Sequence, residues 1–223
     1  MIDLRIYDTA EDAARAAAEL LAGAARAKGH IALSGGTTPR RAYQLAAELE
    51  PDWSGATVWL GDERCVPPDD RRSNYRLIRE GLLAAVEHQP EVRRPQTELG
   101  CEETAERYDR ELEGVELDLA LQGLGPDGHT ASLFPGLPAL DITDRRAVVT
   151  APGLEPWVDR VTMTFPMLSS ARLVAFLAVG ADKADAVGRA FGNGQPGDLP
   201  ASRLRSVRGR TVALLDRAAA AKV

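Results

Sequence analysis

The run Leu117-Asp-Leu-Ala-Leu-Gln122 stops at a glycine-rich stretch, Gly123-Leu-Gly-Pro-Asp-Gly-His-Thr-Ala-Ser-Leu-Phe-Pro135, and this junction constrains the chain more than any other. A short apolar segment bounded by turn residues reads as a strand buried on both faces, and such strands belong to parallel sheets covered by helices. The loop then leaves the strand's carboxyl end, the edge along which open α/β sheets bind ligands. Asp127 and His129 stand close together in it. Histidine exchanges a proton near neutral pH, so the pair suits acid–base chemistry. The residues alone leave a second reading open, a plain turn in which Asp127 hydrogen-bonds its own backbone.

Gly123, Gly125 and Gly128 have the spacing of a dinucleotide fingerprint. That reading fails, because the fingerprint needs a helix opening at the third glycine to meet a pyrophosphate. Pro135, Gly136 and Pro138 cut the following segment short, Asp127 would repel phosphate, and Ala147 to Thr150 does not end in a ribose-binding acid.

The same alternation of strand and turn recurs along the chain. Leu4 to Tyr7 reads as a first strand, with Asp8 and Glu11 as a capping box for a helix whose buried stripe is Ala13, Ala17, Leu20, Leu21 and Ala24. Ile31 to Leu33 runs into Ser34-Gly35-Gly36-Thr37-Thr38-Pro39, where Thr38 suits an N-cap and Pro39 the first helical turn. Free backbone N–H groups and the helix dipole converge at such a junction, which points to phosphate binding at Gly35, Gly36, Thr37 and Thr38. The Gly-Lys-Ser/Thr ending of a nucleoside-triphosphate loop is missing. Thr57 to Gly61 delivers Asp62-Glu63-Arg64 at its end, either site residues or a solvated loop, and Ser73 then caps a further helix. Leu173 to Val179 is another buried strand; it ends in Gly180-Ala-Asp-Lys183, which sets a cation in the first turn of a helix, where the dipole disfavours it unless an anion is near. Arg160, at the start of a strand, either touches a ligand or ends a turn. Gly192 to Pro200 reads as the most mobile loop, and the segment from Pro90 to Gly100 as a polar link. One doubly wound, mostly parallel, Rossmann-like α/β domain over residues 1–223 accounts for the whole pattern.

Composition narrows the partners. The chain of 223 residues carries 33 acidic and 27 basic side chains, a net charge of −6, without a basic run, which argues against nucleic acid. Its longest apolar run is too short to span a bilayer, and Met1 to Tyr7 lacks the pattern of a signal peptide, so a cytoplasmic protein is expected. Cys65 and Cys101 have no metal-ligand spacing and read as reduced, structural thiols; no metal is expected. Nothing in the sequence marks an oligomeric state.

Four segments together resemble the 6-phosphogluconolactonase family: Leu33 to Pro39, Gly61 to Pro68 with Ser73-Asn-Tyr75, Gly123 to Pro135, and Gly180 to Lys183. The resemblance covers most of the chain, down to Pro200-Ala-Ser202. It implies hydrolysis of 6-phospho-D-glucono-1,5-lactone in the pentose phosphate pathway without a cofactor, with His129 activating water, Asp127 and Asp62 beside it, and Thr37 or Thr38, Arg64 and Lys183 on the phosphate. A lactone carbonyl is electrophilic enough that one base and a few oxyanion donors suffice. The related glucosamine-6-phosphate deaminases resemble Asp-Gly-His-Ile-Ala-Phe-Asn-Glu-Pro here, and Phe134 stands where their proton-moving glutamate would be. A sugar-phosphate-binding regulator without catalysis is the third reading; it would have no use for His129.

Overall fold

The computed structural model describes residues 2–192 and 199–223. In chain order the elements are β1 (Ile2–Tyr7), α1 (Ala10–Arg26), β2 (His30–Leu33), α2 (Thr38–Leu49), β3 (Thr57–Leu60), β4 (Asp62–Arg64), α3 (Asn74–Ile78, running on into a π-turn), β5 (Glu91–Arg93) and α4 (Cys101–Glu111). Then follow β6 (Leu119–Gln122), β7 (Ala147–Thr150), β8 (Arg160–Met163), α5 (Phe165–Ser169), β9 (Leu173–Ala178), α6 (Ala184–Phe191), α7 (Pro200–Arg203) and β10 (Arg210–Asp216). Seven strands form one parallel sheet in the order β1-β10-β9-β6-β2-β3-β5.

The strands read as fully buried are buried because both sheet faces are covered. Alternate residues enter opposite cores: Ile31, Leu33, Val58, Leu60, Leu119 and Leu121 pack toward α1 and α2, while Ala32, Trp59 and Ala120 pack toward α4 and α6. Burying a leucine or isoleucine contributes roughly 1.5–3 kcal/mol, so each short strand is held mainly by its two faces. From β2 the chain winds one way to β3 and β5, and from β6 it winds the other way to β9 and β10. The loops after β2 and β6 therefore diverge between two neighbouring strands, which opens a crevice at the topological switch point.

Several local expectations change. Thr9, not Asp8, caps α1, its hydroxyl accepting from the Asp12 N–H at 3.1 Å. Thr37 occupies the N-cap of α2 in a helical conformation with no side-chain cap, which moves Thr38 and Pro39 into the first turn. Asp62–Arg64 is a strand: it pairs antiparallel with β8, and β8 with β7, in a second, three-stranded sheet outside the main one. Its brevity and charge hid it. Within the polar link from Pro90 to Gly100, β5 forms an edge strand of the main sheet beside β3. The loop from Gly192 to Pro200 lies largely outside the described residues.

The cysteines are the clearest correction. Cys65, just beyond β4, and Cys101, the first residue of α4, form a disulfide with Cα atoms 5.8 Å apart. Their separation of 36 residues concealed a contact that forms when the small sheet, through β7 and β8, packs on α4. Closing a loop of this length restricts the unfolded chain by about 3–4 kcal/mol. Cys101→Ser, or reduction of the parent protein, should lower the melting temperature by roughly 6–15 °C in calorimetry. An unchanged melting temperature after complete reduction would show that the bridge adds nothing to stability.

Candidate active site

The switch-point crevice holds a cleft built from five segments: the Ser34–Pro39 loop, the β4–α3 region, the Gly123–Ala131 loop, Arg160 on β8, and Lys183 before α6. Gly35, Gly36, Thr37, Thr38, Asp62, Arg64, His129 and Lys183 all line it, as does Arg160. Asp127 does not line it, but stands behind His129 and accepts from it at 2.6 Å through Nδ1. Asp127 also accepts from the His129 backbone N–H at 3.1 Å. With the proton on Nδ1, the opposite nitrogen, Nε2, carries the lone pair. Burial pushes the Asp127 carboxyl up, yet the hydrogen bonds from the His129 ring and backbone, with the electrostatic pull of that ring, outweigh it and hold the group below the usual carboxylate range.

Local sequence explains the placement of His129. A Cβ at Gly125 would fall 2.0 Å from Nδ1, so only glycine lets the ring fold back over its own loop. Gly128 turns with φ +88°, a left-handed conformation that glycine adopts freely. The ring's other neighbour is Phe134, with centroids 4.5 Å apart. As expected from the prolines, no helix opens at Gly128; only a short 3-10 turn, Pro138–Asp141, follows.

The uncapped start of α2 lines the same cleft, leaving helix N–H groups without a side-chain partner. Lys183, at the N-cap of α6, donates to the Leu124 carbonyl at 3.0 Å, and Arg64 donates through Nη1 to the Arg72 carbonyl at 2.6 Å. Neither forms an ion pair with a carboxylate among the described residues, so their charge is available to an anion.

Sequence reasoning missed the groups that hold these residues. The Asp62 side chain is buried and accepts from Ser132 Oγ at 2.6 Å and from Asn74 Nδ2 at 3.1 Å. Asn74 in turn covers Gly35, where a Cβ would lie 1.8 Å from Asn74 Oδ1. Glu63, also buried, accepts from the N–H groups of Arg64, Asn74 and Tyr75 and from Ser73 Oγ. Burial pushes its carboxyl up against the pull of those bonds. The sole trace of this network in the sequence is Ser73-Asn-Tyr75 following the Asp-Glu-Arg triplet.

The family described as glucosamine-6-phosphate isomerases/6-phosphogluconolactonase matches residues 6–213. A 6-phosphogluconolactonase of Synechocystis sp. is 40% identical over 209 residues, covering 88% of this chain and 85% of that protein. The human 6-phosphogluconolactonase is 36% identical over 220 residues, covering 93% and 85%. A solved structure of 6-phosphogluconolactonase from Trypanosoma brucei superposes with a TM-score of 0.87 at 28% identity, covering 100% of this chain and 99% of that one. The chain belongs to the glucosamine-6-phosphate isomerase/6-phosphogluconolactonase family.

Gly125→Ala tests the packing of the loop. Its methyl would displace the His129 ring, and a misplacement of about 1 Å can cost ~10²-fold in rate. The variant should keep its circular dichroism and lose about that factor in kcat, whereas a variant as active as the parent would show that the ring does not occupy this position during turnover.

Proposed function

We propose that this chain, acting as one domain, hydrolyses 6-phospho-D-glucono-1,5-lactone to 6-phosphogluconate in the oxidative pentose phosphate pathway, with His129 as the base that activates water. The observation that carries this reading is the make-up of the cleft: a histidine oriented by a carboxylate lines it together with an uncapped helix start, Arg64 and Lys183. The phosphate sits on Gly35 to Thr38, Arg64 and Lys183, and the lactone ring reaches toward His129. Nε2 of His129 takes a proton from water as the water oxygen bonds to the lactone carbonyl carbon and the carbonyl electron pair moves to oxygen. The tetrahedral intermediate collapses by breaking the bond to the ring oxygen, which receives the proton held on His129; the new carboxylic acid gives its own proton to solvent. Asp127 fixes the orientation of the ring and keeps the proton on Nδ1, and Asp62 organises the loop and α3 around it.

Phe134 separates this reading from a deaminase. It is buried, 1% exposed, against the His129 ring, and a phenyl group cannot carry a proton for sugar-ring opening. No helix among the described residues is long and apolar enough to cross a membrane. The reading implies a cytoplasmic enzyme, and the Cys65–Cys101 bridge is the feature at odds with that compartment's reduced thiols.

The parent protein should release acid from freshly prepared 6-phosphogluconolactone well above the spontaneous rate and release no ammonia from glucosamine 6-phosphate. Losing one partner of a charge-assisted contact costs about 2–5 kcal/mol, so Lys183→Ala should raise KM for the phosphorylated lactone by ~30-fold or more while the slow hydrolysis of plain gluconolactone stays unchanged. Ammonia release without lactone hydrolysis would overturn the reading, and equal losses on both lactones would remove Lys183 from the phosphate.

A further inference from the structure

Arg160 is absent from the phosphate set and from the acid–base pair, yet it is the more deeply buried guanidinium of the cleft, 3% exposed. Its Nη2 donates to the Leu154 and Pro156 carbonyls at 2.8 and 3.2 Å, which fixes the fork in one orientation. Its Nε is buried with no hydrogen-bond partner among the described residues, as is the Nε of Arg64. On the antiparallel β4–β8 pair Arg64 lies directly opposite Arg160, and Asp62 opposite Thr162. Like charges in directly opposed positions are unfavourable, and no carboxylate among the described residues forms an ion pair with either arginine. Burial pulls the Arg160 guanidinium below its ordinary value, and the negative charge of Asp62 only partly offsets this. Such a group is stabilised when a negative charge enters the cleft.

Its position says which charge. The Arg160 guanidinium lies over the Phe134 ring, 5.1 Å from the centroid, and the His129 ring packs on the same phenyl at 4.5 Å. One aromatic side chain thus sets Arg160 beside His129, the base of the lactonase reading, while Gly35 to Thr38 line the same cleft at the start of α2. The substrate carries no charge at its reacting end until water adds; from then on the carbonyl oxygen is negative, and the product keeps that charge as a carboxylate. A planar guanidinium matches either species through paired donors.

Resting on the lactonase reading, we propose that Arg160 is the group that receives the lactone's carbonyl oxygen: it stabilises the oxyanion formed on water attack and then holds the product carboxylate. Arg160 transfers no proton in this step; it donates hydrogen bonds as the carbonyl electron pair moves onto oxygen. Removing one such donor typically costs ~10²–10³-fold in kcat. The product should also be bound more tightly than an analogue in which the carboxylate is replaced by CH2OH.

Calorimetric titration of the full chain with 6-phosphogluconate and with glucitol 6-phosphate separates the two charged groups of the product, since both ligands carry the phosphate and only the first carries the carboxylate. The parent should prefer 6-phosphogluconate by ~30-fold or more. Arg160→Met should bring that ratio close to one, change the affinity for glucitol 6-phosphate by less than about 3-fold, and lower kcat; Arg160→Lys should restore part of the preference. Equal losses on both ligands would move Arg160 to the phosphate or to the fold, and unchanged affinities would remove it from the site; either result overturns the proposal. A parent protein that hydrolyses the lactone yet binds both ligands equally overturns it without any variant. A parent that binds neither ligand and hydrolyses nothing overturns the lactonase reading itself.

Discussion

One buried carboxylate holds the cleft together. Asp62 sits at the point where the chain leaves the main sheet for the small one, and it is 5% exposed. Its two oxygens are bound by Ser132 of the loop after β6 and by Asn74 at the start of α3, while Asn74 packs on Gly35 of the loop after β2. Hydrogen bonds to a buried charged group contribute about 1.5–3 kcal/mol each, and losing a partner exposes the full cost of desolvation. Three of the segments that line the cleft are thereby tied to one another, and the loop after β6 is fastened to both sheets.

This lock explains how a loop of glycines positions a histidine. A flexible backbone alone would leave His129 free to turn away from the cleft. Here Gly125 lets the ring fold back onto the loop, Asp127 binds its inner nitrogen, Phe134 packs on its face, and Ser132, three residues on, is fastened to Asp62. The small sheet adds a second support, since the Ser132 N–H donates to Thr162 Oγ1 of β8 at 3.2 Å. The same β8 carries Arg160, so the strands that anchor the loop also bring a cation to it. Pairing of β4 with β8 is therefore part of the active-site scaffold.

The parts of this arrangement that were legible in the sequence are those coded locally. Apolar runs ending in glycine mark parallel strands and the edge where ligands bind, and the residues they single out, Gly35 to Thr38, Asp62, Arg64, His129 and Lys183, all line a single cleft. What escaped depends on contacts between distant segments. Asp62-Glu63-Arg64 has the composition of a solvated loop, and only its partner, nearly a hundred residues later, makes it a strand. Cys65 and Cys101 meet for the same reason, and the roles of Asn74, Ser132 and Glu63 follow from burial that no local pattern announces. Thr38 looked like a cap because caps are usually supplied by side chains; here the start of α2 is left open toward the cleft.

The central claim is that His129 presents an unprotonated Nε2 to water while Nδ1 stays bonded to Asp127. Nitrogen-15 chemical shifts of histidine-labelled protein test this most directly, because protonated and unprotonated ring nitrogens are widely separated in the spectrum. The chain has only three histidines, and His129→Asn identifies the signal by its loss. In the pH range of full activity, Nδ1 of His129 should carry the proton and Nε2 should be bare, and Nε2 should gain a proton along the same curve by which kcat/KM falls in acid. A proton on Nε2 with a bare Nδ1, or an Nε2 whose titration does not track the loss of activity, would contradict the account.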